Sequence, residues 1–85
     1  MTTLYTKYNN PAPATQRIDA ITGGELFLSY GTVIAKRING KVTLDRVYWE
    51  YSRTTGYYRN QFLGEGIADT RKKIASGLYN LSNLN

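Results

Sequence analysis

The dipeptide Asn39-Gly40 constrains this chain more than any other feature of it. A type I′ turn needs positive φ at both central residues, which Asn tolerates and Gly adopts freely, and its twist matches that of two antiparallel strands. The flanks, Glu25 to Ile38 and Lys41 to Tyr51, are rich in β-branched and aromatic residues. Together they predict a β-hairpin. A tight loop sets Ile38 opposite Lys41, Ala35 opposite Leu44, Gly31 opposite Tyr48 and Tyr30 opposite Trp49. One face then carries Phe27, Val33, Ala35, Val42, Leu44 and Tyr48 as the core side. The other carries Leu28, Tyr30, Val47, Trp49 and Tyr51 near the open end, with Lys36, Lys41 and Asp45 toward the turn. A slip of one residue would exchange the two faces.

After Tyr51 the pattern changes. Ser52-Arg53-Thr54-Thr55 offers hydroxyls to the free amides at a helix start, Thr55, Tyr58 and Phe62 follow at helical spacing, and Gly64 can close the helix in the left-handed conformation. This predicts a helix over Thr54 to Leu63. A second helix, Ile67 to Ser76, turns Ile67, Ile74 and Leu78 inward and Asp69, Lys72, Lys73 and Ser76 outward, with Gly77 at its end. Its acid lies near the start and its bases near the end, in accord with the helix dipole. Arg17 to Thr22 reads as a short helical turn or a strand broken by Gly23-Gly24. Leu78 to Asn85 reads equally as an edge strand or an irregular segment. The polar stretch 1–16, interrupted by Pro11 and Pro13, reads as a flexible N-terminal arm. The remainder, 17–85, is then a single small α+β domain: a β-hairpin or small antiparallel sheet packed with two short C-terminal helices.

Composition narrows the function. A chain of 85 residues supports one thin core, and without a single Cys or His it has no disulfide, no thiolate or imidazole metal ligand and no side chain that ordinarily shuttles protons near neutral pH. The six acids Asp19, Glu25, Asp45, Glu50, Glu65 and Asp69 are scattered, and Gly23-Gly24 and Gly64-Glu65-Gly66 lack the Lys-Ser/Thr ending of a phosphate loop. The expectation is a protein that is not an enzyme and needs no metal or cofactor. No stretch is long and apolar enough to span a bilayer and Met1 to Asn10 has no leader pattern, so an intracellular protein with no membrane partner is expected.

Net charge is +5, and from Gly31 onward nine Lys or Arg face four acids. A basic excess confined to one part of the chain is the footprint of a polyanion binder, or simply a solubilising surface. The run Tyr48, Trp49, Tyr51, Arg53, Tyr57, Tyr58, Arg59 interleaves aromatic rings that can stack on bases with cations that can reach phosphates. Trp49, Tyr58 and Phe62 are expected to pack inward. Tyr30, Arg53, Tyr57, Arg59, Asn60 and the basic triplet Arg71, Lys72 and Lys73 are the candidate binding residues.

Several of these motifs resemble a known group. Ser29-Tyr30-Gly31-Thr32 before Ile34-Ala35, the Asn-Gly turn, Tyr51-Ser52-Arg53-Thr54-Thr55, the run from Arg59 to Glu65, and Thr70-Arg71-Lys72-Lys73-Ile74 before Ser76-Gly77 resemble small uncharacterised bacteriophage and mobile-element proteins sharing a domain of unknown function. The resemblance extends over about Ser29 to Leu84, and Gly56 and Tyr57 depart from it where a polar residue, often Lys, is expected. It implies a phage or mobile-element origin, hence the cytoplasm of an infected bacterium, and no activity. The expected role is accessory binding of DNA or RNA. The rivals are a protein that inhibits a host component through an acidic surface, and an assembly protein that forms homo-oligomers through a hairpin edge.

Overall fold

The computed structural model describes residues 3–85. Four strands run as an antiparallel meander, β1 (Gln16–Ile21), β2 (Gly24–Ser29), β3 (Thr32–Ile38) and β4 (Lys41–Asp45). The chain then crosses one face of the sheet as helices α1 (Arg53–Leu63) and α2 (Ile67–Ala75) and returns as β5 (Asn80–Ser82), which lies parallel to β4. The result is an α+β domain whose five-stranded sheet, ordered β1-β2-β3-β4-β5, is made mixed by its last strand. No helix among the described residues is long and apolar enough to cross a membrane.

The Asn39-Gly40 turn forms as its chemistry requires, with φ of 50° and 79°, and it sets Ile38 opposite Lys41 and Ala35 opposite Leu44. Beyond those pairs the long hairpin read from sequence is corrected. Glu25 to Ile38 is two strands, because Tyr30 and Gly31 both adopt positive φ, 53° and 80°, and make a second tight turn. Lys41 to Tyr51 ends as a strand at Asp45, whose carboxylate accepts from Val47 N at 3.1 Å and Tyr48 N at 2.9 Å and bends the chain out of the ladder. Gly31 therefore does not pair with Tyr48, nor Tyr30 with Trp49. Tyr48, expected on the core side, is exposed, whereas Trp49, which the hairpin register set on the opposite face, is buried in the core in keeping with its expected packing role. Arg17 to Ile21 is strand, not helical turn, and joins β2 through Thr22-Gly23.

The core side of the sheet carries Phe27, Ala35, Val42 and Leu44, all buried. Strict alternation misses Ile34. A bulge in β3, where Phe27 pairs with Ala35 but Leu28 with Val33, leaves Ile34 as the extra residue and lets it and its neighbour Ala35 both be buried. The helices cover this face through Tyr58 and Phe62, and Phe62 stacks on Phe27 with ring centroids 5.9 Å apart. Each such ring removed from water contributes about 2–3 kcal/mol. Ile67 and Ile74 pack against the cluster, but Leu78, expected to face inward, is exposed and Tyr79 is buried instead.

Of the stretch 1–16 read as an arm, residues 1 and 2 lie outside the described residues, Gln16 opens β1, and the part between touches the domain at particular points. Leu4 enters the core, Tyr5 bridges Pro11, and the Gln61 side chain pairs with both Tyr5 N at 2.9 Å and Tyr5 O at 2.6 Å.

Candidate functional site

The first turn of α1 is fixed from below by hydroxyls. Ser52 caps the helix, accepting from Thr55 N at 3.1 Å, while the buried Thr55 Oγ1 lies 2.8 Å from Ser29 Oγ at the end of β2. This Ser29–Thr55–Ser52 chain ties the Tyr30-Gly31 turn to the helix start. Tyr30, held above the turn and exposed, thereby forms one wall of a cleft of about 590 Å³ with Tyr48, Tyr51 and Thr54. On the other flank of α1 a depression of about 560 Å³ runs between Lys7 and Tyr8 on one side and Arg53 and Tyr57 on the other. Arg53 and Tyr57 also border a third hollow that reaches Asn60 and Glu50.

The exposed face of the N-terminal half of α1 is thus ringed by tyrosines. Tyr8, Tyr30, Tyr48, Tyr51 and Tyr57 all present their rings to solvent, Tyr51 edge-on to Tyr48 and Tyr57 edge-on to Tyr58. The first turn of α1 carries no acid, so nothing local offsets the partial positive charge of the helix start. Arg53, also exposed, has no ion-pair partner among the described residues, and the nearest acid in these hollows, Glu50, is held by Arg71 at 2.8 Å.

The predicted residues divide accordingly. Tyr30, Arg53, Tyr57 and Asn60 lie on this face. Arg59 does not serve it: expected to be free for a partner, it is 2% exposed, donating to Trp49 O at 2.7 Å and Asn60 Oδ1 at 3.0 Å with its guanidinium over the Trp49 ring. Burial lowers its pKa, Glu50 opposes that shift and Arg71 adds to it. Arg59 closes the carbonyl end of the 46–50 turns, a structural use of a cation.

The basic triplet on α2 is largely neutralised. Arg71 pairs with Glu50, and Lys73 pairs with Glu65 and sits over the Tyr79 ring, so only Lys72 of the three lacks an acidic partner among the described residues. Glu65 is the centre of a polar knot that also accepts from Thr70 Oγ1 at 2.6 Å and Tyr79 OH at 2.9 Å. Burial opposes its ionisation, but the bonds from Lys73, Thr70 and Tyr79 outweigh that and hold its carboxyl below the ordinary value. Sequence reasoning missed Lys7 and Tyr8, because a polar N-terminal stretch gives no sign of where it docks.

A family model described as a family of unknown function, DUF8033, matches residues 1–77. No curated protein and no solved structure matches the chain. The match spans nearly the whole domain, and the chain belongs to this family of unknown function.

Proposed function

We propose that the chain is a non-enzymatic binding protein, encoded by a phage or mobile element and acting in the bacterial cytoplasm, that holds single-stranded nucleic acid on the tyrosine-ringed face of α1. The observation that carries this reading is the placement of several exposed tyrosines around an unpaired Arg53 at a helix start free of acids. Rings of this kind stack on bases of any sequence, while a guanidinium and a helix start favour phosphate. Tyr57 and Tyr30 are the stacking residues, Arg53 and Lys7 the phosphate contacts, and Asn60 a polar contact at the margin. The α2 triplet adds little beyond Lys72, since two of its three charges are engaged by acids.

The test is a titration of a labelled oligonucleotide at several salt concentrations. Arg53→Ser is expected to weaken binding and reduce the magnitude of the log–log salt slope by about 0.7, the loss of one phosphate contact on a single strand. Tyr57→Ala is expected to cost about 1–3 kcal/mol with the slope unchanged. Folded protein that ignores DNA and RNA at low salt, yet retains one host protein after nuclease treatment, would replace this reading with that of a host-protein inhibitor.

A further inference from the structure

The meander leaves β1 at the outer edge of the sheet, with no strand beyond it among the described residues. Its pairing with β2 sets which of its backbone groups are free. Ile21 and Gly24 close a tight hairpin, and such a closing pair is hydrogen-bonded, so by alternation Asp19 and Arg17 also bond toward β2. The N–H and C=O of Ile18 and Ala20 therefore point outward, a row of donors and acceptors that a further strand would satisfy.

The side chains at this edge are arranged about the same point. Arg17 and Asp19 flank Ile18 on the face away from the helices, 3.1 Å apart, with half or nearly half of each side chain exposed. An edge defended against association usually carries charges of one sign or a bulge. Here the two charges are opposite and equidistant from Ile18, which makes the edge complementary to itself.

We propose that two copies of the chain pair antiparallel through β1, about a two-fold axis at Ile18. In that register Ile18 exchanges both backbone hydrogen bonds with Ile18 of the second copy; across from Ala20 the buried Gln16 already gives its N–H to Pro13 O at 2.9 Å, so the ladder is centred on the Ile18 pair. Arg17 of each copy lies directly across from Asp19 of the other, at a non-hydrogen-bonded pair where side chains approach most closely. The backbone parity and the charge symmetry select the same centre independently. The other edge, β5, has three residues, all exposed, and offers no such pattern. A two-fold axis normal to the sheet joins the two five-stranded sheets into one and keeps both helical layers on the same side. The pairing does not depend on what the face of α1 binds.

Sedimentation equilibrium from micromolar to near-millimolar protein tests this. The wild type is expected to dimerise with rising concentration, and Arg17→Asp or Asp19→Arg, each setting like charges opposite at two places, to weaken the dimer about tenfold or more. An equimolar mixture of these two variants, and the doubly exchanged R17D/D19R chain, should each recover dimerisation, because opposite charges again face each other. The circular dichroism of all variants should match the wild type, since an exposed ion pair adds little to folding. A wild type that stays monomeric throughout, a dimer indifferent to the single changes, or a failure of both the mixture and the exchange to recover it would each overturn the proposal.

Discussion

Gly24→Ala is expected to abolish stable folding or to lower stability by about 4 kcal/mol, the largest effect of any single methyl group added to this chain. Gly24 lies between Ile21 and Ile38, at the point where three strands run side by side. A Cβ there would sit 1.7 Å from Arg37 O and 2.9 Å from Ile38 Cα. These are backbone atoms of the neighbouring strand and cannot rotate away. Relief requires β2 and β3 to separate at the start of their ladder, next to where Arg37 donates to Phe62 O and pairs with Glu25. Gly31→Ala is the control: Gly31 has φ of 80° but open space around its Cβ position, so only left-handed strain of about 1–2 kcal/mol is added. Urea midpoints for the two variants should separate clearly, and equal midpoints would contradict the close approach at Gly24.

Asp45→Ala is expected to cost about 3 kcal/mol and to release the C-terminal segment. The buried carboxylate accepts from four donors: Val47 N and Tyr48 N on one oxygen, and Leu84 N at 2.8 Å and Asn85 Nδ2 at 3.1 Å on the other. Asn85 in turn accepts from Val33 N at 2.8 Å and donates to Val33 O at 3.0 Å. Its carboxamide thus occupies the place on β3 that β4 would have filled had it continued past Asp45. Burial opposes ionisation of Asp45, but the bonds from Leu84, Tyr48, Val47 and Asn85 together hold its pKa below the ordinary value. A carboxyl depressed in the folded state contributes stability that is complete above its unfolded pKa and is lost as pH falls through the folded one. Glu65 shifts in the same direction. The wild type should therefore lose stability progressively from about pH 4 downward, and Asp45→Asn should show a flatter acid limb. Denaturation followed against pH checks both statements, and parallel acid limbs in wild type and variant would count against the role of Asp45.

The parts of the fold legible in the sequence are those set by local chemistry. Asn39-Gly40 fixed a register confirmed at Ile38 and Lys41. Ser52 caps α1 and Gly64, at φ of 73°, ends it where hydroxyl and glycine chemistry predicted. What escaped depends on partners distant in the chain. The Tyr30-Gly31 turn was hidden because a tyrosine at positive φ is sterically disfavoured and is seldom read as a turn residue. The strand end at Asp45 is stabilised in part by residues 84 and 85, the far end of the chain. Arg59 looked free because nothing local shows that the Trp49 carbonyl awaits it. Of the candidate site, the aromatic and basic interleaving near α1 was legible. Its neutralised counterpart on α2 was not, since pairing of Arg71 with Glu50 needs the tertiary fold.

The central claim is that the tyrosine-ringed start of α1 is the binding face, and amide chemical-shift mapping with a short oligothymidylate at low salt tests it most directly. The expected result is that perturbations gather at Tyr30, Tyr48, Tyr51, Arg53, Thr54 and Tyr57 and extend to Lys7 and Tyr8, with Lys36 and Lys41 on the β3–β4 hairpin unmoved. Perturbations centred on the outer face of α2 around Lys72, or no binding by the folded protein at any salt concentration, would contradict it.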